Sequence, residues 1–577
     1  MTEVDRRGFL HSATGAAFAA AAPLAVAGAA PAGEPDWELL RAAVGERLIR
    51  VDSPLARCAA AGGAGADALF ARLKNPFYLG DEPALTQTLG WTGAWTSRAS
   101  PYAVAARSTA DVAAAVLFAR RAGVRLVVKG GGHSYFGNSN AEGALLVWTR
   151  AMNAIEPHEA FVAEGAPPAT ARPAVSVGAG ALWGETYRAV SVEGGRYVQG
   201  GGCLTVGVAG FVLGGGFGSL SKGYGTGAAS LLEAEVVTAD GQARIVNPWR
   251  EPELFFALRG GGGGTFGIAT RLTLATHPLP ATIGAVQVVI AARSDTAWAA
   301  LVARIVEFYA AALFNPDWGE QISFGPGRRL TVAMVFRGLD EGAARALWQP
   351  FLASLAAHPD YEIVGDPFIV AIPAHRFWDP ALLRSVPGVV LADNRPAAAA
   401  DNIFWASNLG EAGQVLQAYQ SAWLPARLLA QESRSGLADA LVAASGHWKV
   451  TLHTNKGLAG GAAEALAATR ETATNPQVNE AFALAIVAAV APPAWPGIPG
   501  HEPDPTAARR NAGAVARAMA PLRQLTPQAG TYVSESDFFQ PDWQRAYWGS
   551  HYRRLAAAKR RYDPDNIFRG HYCVEPG

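Results

Sequence analysis

The first half of the chain alternates short apolar runs with segments of helical spacing. Residues 124–128 and 231–238 are apolar and rich in β-branched side chains, which predicts buried strands. Residues 109–122 repeat apolar positions at helical spacing with an acidic residue in the first turn, which predicts a helix. The same reasoning predicts strands at 145–148, 174–177, 196–199 and 266–274 and helices at 182–190 and 252–259. This alternation is typical of an α+β sheet domain.

A second domain is predicted after the proline-rich run 277–280. The apolar stretch 481–490 ends at a proline pair, which favours a buried helix over a membrane-spanning one. Alternation in residues 531–537 predicts a strand that carries Tyr532 and Ser534 on one face and Glu535 and Asp537 on the other. The other predicted elements are strands at 286–290, 330–336 and 448–453 and helices at 296–312, 341–355 and 545–561.

Two glycine-rich loops carry the candidate chemistry. Residues 129–135 hold His133 among glycines, directly after a predicted strand, and residues 200–207 hold Cys203. Glycine lets a flat or phosphorylated ligand approach the backbone closely. Taken singly, a histidine in such a loop is usually a turn residue and a lone cysteine an inert buried side chain. The pair in two similar loops favours a shared ligand.

The two loops, in this order and 70 positions apart, resemble those of berberine bridge enzyme-like oxidases. These oxidases belong to the vanillyl-alcohol oxidase superfamily, whose FAD-binding domain is of the para-cresol methylhydroxylase (PCMH) type. The resemblance covers roughly residues 90 to 275 and the C-terminal helix and tail. The other matching segments are 100–102, 108–112, 259–268 and 562–568.

The resemblance implies an FAD held by two covalent bonds, from His133 to the 8α-methyl group and from Cys203 to C6 of the flavin. It also implies an α+β fold in which a PCMH-type domain joins a substrate domain whose antiparallel sheet is covered by helices. The expected division is a signal peptide at 1–32, the FAD domain at 40–280, the substrate domain at 281–544 and a return to the FAD domain at 545–577. The expected FAD-contacting residues are His133, Cys203, Gly130, Gly131, Gly132, Ser134, Gly202, Thr205, Val206, Gly207, Gly210 and Asn566.

The catalytic base is open at this point. Sugar-oxidising relatives carry a Tyr-x-Asn-Tyr segment where this chain has Tyr532, Val533, Ser534 and Glu535, so the family's tyrosine base does not carry over directly. Tyr532 or Glu535 are candidates, and His453 and Tyr135 are further ones. For each, the ordinary alternative is a hydrogen-bonded structural side chain.

The leading hypothesis is an oxidase that takes a hydride from an alcohol or carbohydrate and reduces O2 to H2O2. In relatives, a small residue three positions after the linked cysteine is associated with oxygen access, and Val206 has that place. The alternatives are a dehydrogenase of the same fold that uses another acceptor, an oxidase of C–N or C–C bonds in a secondary metabolite, and a carbohydrate-binding protein without catalysis. His133 and Cys203 disfavour the last, since linkage residues have no obvious use without flavin.

The N-terminus predicts export. Arg6 and Arg7 form a twin-arginine pattern before an alanine-rich stretch with small-residue cleavage candidates, and this route carries folded proteins. A chance arginine pair before an alanine tail is the alternative. The stretch is too short and too weakly apolar for a membrane anchor.

Composition narrows the partners. Acidic and basic residues number 48 each, so neither nucleic acid nor an anionic membrane is implied. No cysteine–histidine spacing resembles a zinc site, so no metal is expected. Cys58 and Cys573 either pair as a disulfide or are separate buried thiols. Residues 262–267 fit G-x-G-x-x-G, but a helix is predicted before and a strand after them, the reverse of a Rossmann unit.

Overall fold

The computed structural model describes residues 35–577, so the twin-arginine pattern lies outside the described residues. The strands are β1 (Leu48–Arg50), β2 (Thr88–Trp91), β3 (Trp95–Thr96), β4 (Tyr102–Ala105), β5 (Arg125–Lys129), β6 (Ala144–Trp148), β7 (Ile155–Phe161), β8 (Arg172–Gly178), β9 (Arg196–Val198), β10 (Leu231–Val237), β11 (Ala243–Val246), β12 (Ile268–Pro278), β13 (Thr282–Ala292), β14 (Trp318–Gly325), β15 (Arg329–Arg337), β16 (Tyr361–Ile363), β17 (Phe368–Pro373), β18 (Val390–Ala392), β19 (Ile403–Trp405), β20 (Gln414–Pro425), β21 (Val450–His453) and β22 (Ala481–Ala491).

The helices are α1 (Trp37–Val44), α2 (Pro54–Ala60), α3 (Ala66–Arg72), α4 (Pro76–Asp81), α5 (Thr109–Ala122), α6 (Trp183–Tyr187), α7 (Val208–Leu213), α8 (Ser221–Tyr224), α9 (Pro252–Leu258), α10 (Asp295–Phe308), α11 (Glu341–Ala356), α12 (Pro380–Ser385), α13 (Arg434–Ser445), α14 (Ala463–Arg470), α15 (Pro505–Leu525), α16 (Trp543–Trp548) and α17 (Tyr552–Tyr562).

Two smaller sheets form the N-terminal half. One has the order β1-β4-β6-β5, in which β6 is parallel to both β4 and β5 and β1 is antiparallel to β4. The other is antiparallel, with the order β11-β10-β12-β8-β7 and with β9 paired to β12. Helix α5 begins at a capping box between Ser108 and Asp111 and ends at the left-handed Gly123, which turns the chain into β5 and the His133 loop.

A ten-stranded sheet, with the order β16-β13-β15-β14-β21-β22-β20-β2-β3 and β17 paired to β13, forms the second half. All its pairs are antiparallel except β2 with β20. Apolar side chains of this sheet pack against α10, α11, α13 and α15 in the largest core. The expected α+β class, with an antiparallel sheet covered by helices, is thereby confirmed.

The division at residue 280 coincides with the turn between β12 and β13. We propose that the chain divides into an FAD domain at 40–280, a substrate domain at 281–544 and a C-terminal return at 545–577. Strands β2 and β3 belong to the first of these but form part of the large sheet. The order of α9 before and β12 after residues 262–267 is the reverse of a Rossmann unit, as predicted.

Two element predictions in this half are wrong, those for residues 481–490 and 531–537. Residues 481–490 form no helix but lie in strand β22, between β20 and β21 in the middle of the large sheet. A strand buried on both faces is continuously apolar, so it shows neither helical nor alternating periodicity. The predicted helix at 545–561 is interrupted at Gly549, whose φ is +54°, and forms α16 and α17.

One continuous helical stretch among residues 35–577, Asp295–Leu313, is long and apolar enough to cross a membrane by length and composition alone. Its residues Trp298, Leu301, Val302 and Ile305 are buried in the core against the large sheet. The stretch is thus accounted for by packing within the protein.

Candidate functional site

The two glycine-rich loops lie against each other. A Cβ atom on Gly131 would stand 2.7 Å from the backbone nitrogen of Gly207, and one on Gly207 would stand 2.8 Å from the nitrogen of Gly131. Only glycine permits this contact, because a methyl group at either position would overlap the facing backbone. The contact brings His133 and Cys203 to the wall of one cavity of about 770 Å³.

His133 is fixed by the second loop. Its Nε2 lies 3.1 Å from the carbonyl oxygen of Thr205, and because a carbonyl only accepts, Nε2 carries the ring hydrogen. Burial lowers the pKa of His133 to about 4, so the imidazole is neutral at pH 7. The lone pair on Nδ1 is then available as a nucleophile.

Cys203 shares Thr205 with His133. Its Sγ lies 3.5 Å from the hydroxyl oxygen of Thr205. Burial, and then the nearby charge of Glu411, raise the pKa of the thiol to about 11. The sulfur is protonated at pH 7 and must lose its proton before it can form a bond, because the thiolate is the nucleophile.

The rest of the cavity floor is open to a flat ligand. A Cβ atom on Gly210 would meet nothing within 4 Å, so the space in front of this backbone is free. Residues 569–573 of the tail also line the cavity, whereas Asn566 does not and lies in the turn after α17. Of the expected FAD-contacting residues, the lining includes His133, Cys203, Gly130, Gly131, Gly132, Ser134, Gly202, Val206, Gly207 and Gly210.

The wall opposite the loops is the uncovered face of the large sheet. Alternate residues of its strands point into the cavity, while their neighbours pack in the core. The lining residues include Gln287 of β13, Gln321 of β14, Val335 of β15, Tyr419 of β20 and His453 of β21.

All four candidate bases line the same cavity, but the predicted strand at 531–537 is wrong. These residues form turns, in which the backbone nitrogen of Glu535 donates to the carbonyl of Tyr532. The alternation that placed Tyr532 and Glu535 on opposite faces therefore does not apply, and both reach the cavity. A polar segment as short as this alternates by chance often enough to imitate a strand.

Glu535 pairs with Lys456, whose Nζ contacts the Glu535 carboxylate. Their side chains are 23% and 10% exposed, and both line the cavity. The fold thus places an ion-paired carboxyl group on the cavity wall.

The other three candidates are neutral at pH 7. Burial lowers the pKa of His453 well below its usual value, and its buried Nδ1 has no hydrogen-bond partner among the described residues. Burial raises the pKa of both Tyr532 and Tyr135 well above 10. The Tyr532 hydroxyl oxygen also accepts a hydrogen bond from the Gly216 nitrogen at 3.2 Å.

Several cavity residues were missed from the sequence. Glu320, Glu411 and Tyr419 line the site with Lys456. Lys456 follows His453 by three residues and could have been found from that spacing. Glu320 and Glu411 lie far from any motif in the chain and meet the loops only through the tertiary fold.

A segment of the substrate half, residues 374–411, covers the Cys203 loop. The Trp405 Nε1 donates to the Gly202 carbonyl oxygen at 2.7 Å. Trp378 stacks on Tyr187 with ring centroids 4.3 Å apart, and Tyr187 in turn donates to the Gly201 carbonyl. These aromatic contacts fix the backbone that presents Cys203.

The other two cysteines are separate free thiols. Cys58 packs in a small apolar cluster with Leu55 and Leu69, whereas Cys573 lines the cavity. The disulfide alternative is therefore not realised in this structure. Within residues 35–577, no three His, Cys, Asp or Glu side chains form a group that could hold a metal ion.

The cavity lies between the N-terminal half and the large sheet, has glycine-rich loops and two nucleophiles on its wall, and fits a flavin-binding oxidoreductase. The family described as FAD binding domain matches residues 100–247, and the family described as berberine and berberine like matches residues 531–575. The chain belongs to the berberine bridge enzyme-like FAD-linked oxidoreductases of the vanillyl-alcohol oxidase type and is an FAD-dependent enzyme.

Individual relatives support this assignment. The FAD-linked oxidoreductase ZEB1 of Gibberella zeae is 30% identical over 81% of this chain and 74% of its own length. The VAO-type flavoprotein MtVAO615 of Myceliophthora thermophila superposes with a TM-score of 0.75 at 24% identity, covering 94% of this chain and 95% of its own. The glucooligosaccharide oxidase of Acremonium strictum, described with a 6-S-cysteinyl, 8α-N1-histidyl FAD, has a TM-score of 0.63 at 22% identity, covering 83% of this chain and 92% of its own.

Proposed function

We propose that the enzyme holds FAD through two covalent bonds, to His133 and Cys203, and oxidises an alcohol or carbohydrate hydroxyl with O2 as the electron acceptor. The observation that carries the proposal is the meeting of both nucleophiles, joined through Thr205, in one glycine-lined cavity. The free Nδ1 of His133 agrees with the histidyl link described for the glucooligosaccharide oxidase.

The remaining contacts to FAD would come from backbone. The open space in front of Gly210 leaves room for the isoalloxazine ring, and the N–H groups of both loops can serve its polar edge. The proposed contacting residues are Gly130, Gly131, Gly132, Ser134, Gly202, Thr205, Val206, Gly207, Gly210 and, through the turn that leads to the tail, Asn566.

When bound, the flavin accepts a hydride from the substrate carbon and passes two electrons to O2, giving H2O2. The chain supplies position and a proton acceptor. The face of the large sheet, with Gln287, Gln321 and Tyr419, holds the substrate against the cofactor site, and the 374–411 segment limits access of water. Holding the substrate and the cofactor together in this way lowers the activation free energy by roughly 7 to 11 kcal/mol at most.

Glu535 is the proposed base. Among the four candidates it is the only carboxyl group and the only one in an ion pair, whereas burial keeps His453, Tyr532 and Tyr135 neutral at pH 7. A carboxylate can take the hydroxyl proton directly, whereas either tyrosine would first have to be deprotonated against its raised pKa. Tyr532, Tyr135 and His453 then shape the pocket around the reacting group.

Oxygen would reach the flavin past Val206. This side chain lines the cavity directly before Gly207 in the chain and is smaller than the isoleucine or leucine that would favour a dehydrogenase.

The test is peroxide release. Purified enzyme is mixed in air with mono- and disaccharides, primary alcohols and amines, and H2O2 is measured beside reduction of an artificial dye acceptor. The proposal predicts H2O2 in proportion to sugar or alcohol consumed. Dye reduction without peroxide would identify a dehydrogenase instead and would overturn the oxidase assignment.

A second candidate, oxidation of a C–N bond, is favoured by the charge of the site. Glu320, Glu411 and Glu535 line the cavity together with Lys456, so three carboxyl groups face one ammonium group. Such a pocket attracts a cationic amine. Peroxide release with amines alone would select this reaction.

We also propose export by the twin-arginine route. The pattern at Arg6 and Arg7 supports it, and this part of the chain lies outside the described residues.

A further inference from the structure

Glu320 occupies an anomalous place in strand β14. Trp318, Ile322 and Phe324 lie on the core side of this strand and are each at most 2% exposed. Alternation puts residue 320 on that same apolar side, where a carboxyl group would be unfavourable. Glu320 nevertheless lines the cavity, together with its neighbour Gln321.

The backbone explains how the side chain changes sides. The φ angle of Glu320 is +74°, in the left-handed region that only glycine adopts without strain. The ladder to β15 continues through this residue without a shift in register, with Glu320 opposite Met334. Strain of this kind persists where the surrounding structure enforces it, and it concentrates at functional sites.

The carboxyl group is held by one oxygen only. Its Oε1 accepts from the Ser219 hydroxyl at 2.6 Å and from the Asn455 Nδ2 at 3.4 Å. Among residues 35–577, Oε2 has no hydrogen-bond partner. Burial raises the pKa of this carboxyl because it disfavours the ionised form, so an incoming hydrogen-bond donor would stabilise that form.

The group lies beside the cysteine loop. A Cβ atom on Gly202, the residue before Cys203, would stand 3.8 Å from Glu320 Oε1. If FAD is attached at Cys203, Glu320 would lie at the linked side of the ring, where it could hold a substrate beside the hydride acceptor.

We propose that Glu320 is a catalytic residue distinct from the base. This inference rests on the proposed function, in which Glu535 takes the proton of the reacting hydroxyl. Glu320 Oε2 binds a second hydrogen-bond donor of the substrate, and this contact turns the reacting carbon toward the hydride acceptor. The site therefore selects substrates with two neighbouring donor groups, such as vicinal hydroxyls, over simple alcohols.

The test uses Glu320→Gln and Glu320→Gly, with the exposed Glu362→Gln as charge control. Oxidation of saccharides and of 1-butanol is followed with O2 and with the dye. For the saccharide that the wild type oxidises best, KM is expected to rise about 10- to 100-fold in both variants, because a hydrogen bond to a charged group is lost. The change in kcat should be smaller. The rate with 1-butanol should stay within about threefold, since the lost contact is not made there.

Thermal unfolding supplies a readout besides activity. Glycine adopts φ +74° without strain, so Glu320→Gly should melt no lower than the wild type, as should the control Ala397→Gly at an exposed residue with φ +60°. A wild-type KM in both Glu320 variants, or a fall of the Glu320→Gly melting temperature by more than about 5 °C, would overturn the inference. No oxidation of any compound by the wild type with either acceptor would instead overturn the proposed function, and the inference with it.

Discussion

Replacing Glu535 with glutamine is expected to lower kcat by roughly 10²- to 10⁴-fold, the usual worth of a general base. Glutamine keeps the size and the hydrogen-bonding oxygen of the side chain but cannot take a proton. The substitution also leaves Lys456 without its ion-pair partner in a site where that lysine is 10% exposed. The substrate KM should change less than kcat, because the lost interaction acts on the proton in the transition state.

The matched control is Glu471→Gln, an exposed glutamate outside the cavity, which should retain wild-type kcat. Flavin content and the melting temperature are measured for each variant, so that a loss of cofactor is not mistaken for a loss of base. If the Glu535→Gln enzyme carries full flavin and its kcat is within about tenfold of the wild type, Glu535 is not the base. His453, Tyr532 or Tyr135 would then be the base.

The second large effect is expected from Gly131→Ala. The added methyl group would lie 2.7 Å from the Gly207 nitrogen and 3.0 Å from the Thr205 carbonyl oxygen, so the two loops must separate. Thr205 anchors both His133 and Cys203, and separation therefore disturbs both linkage residues together. Flavin bound to the purified protein should fall by about tenfold or more, since overpacking of this kind costs about 1–3 kcal/mol or above.

Gly436→Ala is the control for this change. Gly436 lies in helix α13, and a Cβ atom there meets nothing within 4 Å, so the variant should keep its flavin and be slightly more stable. Flavin content is read from the visible absorbance relative to protein. Full flavin in Gly131→Ala would show that the loop contact does not position the cofactor.

Local patterns predicted most elements because strands and helices in this chain carry their own periodicity and caps. The helical spacing of residues 109–122, with Asp111 in the first turn, predicts α5 over its full length. Strand β22 was misassigned because alanine, the best helix former, fills a strand that is buried on both faces. Amino-acid composition and apolar content do not distinguish a buried helix from a strand that is buried on both faces.

The site was predictable only where its residues lie in motifs. His133 and Cys203 stand in glycine loops that can be recognised from sequence, and they meet in the structure. Glu320 could not be found, because strand alternation places it in the core and only the left-handed backbone brings it to the cavity. Trp405 and Glu411 belong to a covering segment with no pattern of its own, so only the tertiary fold brings Trp405 to the Cys203 loop and Glu411 to the cavity.

The central claim is that His133 and Cys203 both bind the flavin covalently. The most direct measurement is acid precipitation of the wild type, His133→Ala, Cys203→Ala and the double variant, followed by the absorption spectra of pellet and supernatant. Flavin should stay with the pellet in the wild type and in each single variant, with a different spectrum for each link, and should be absent from the pellet of the double variant. Flavin released into the supernatant from the wild type would contradict the account.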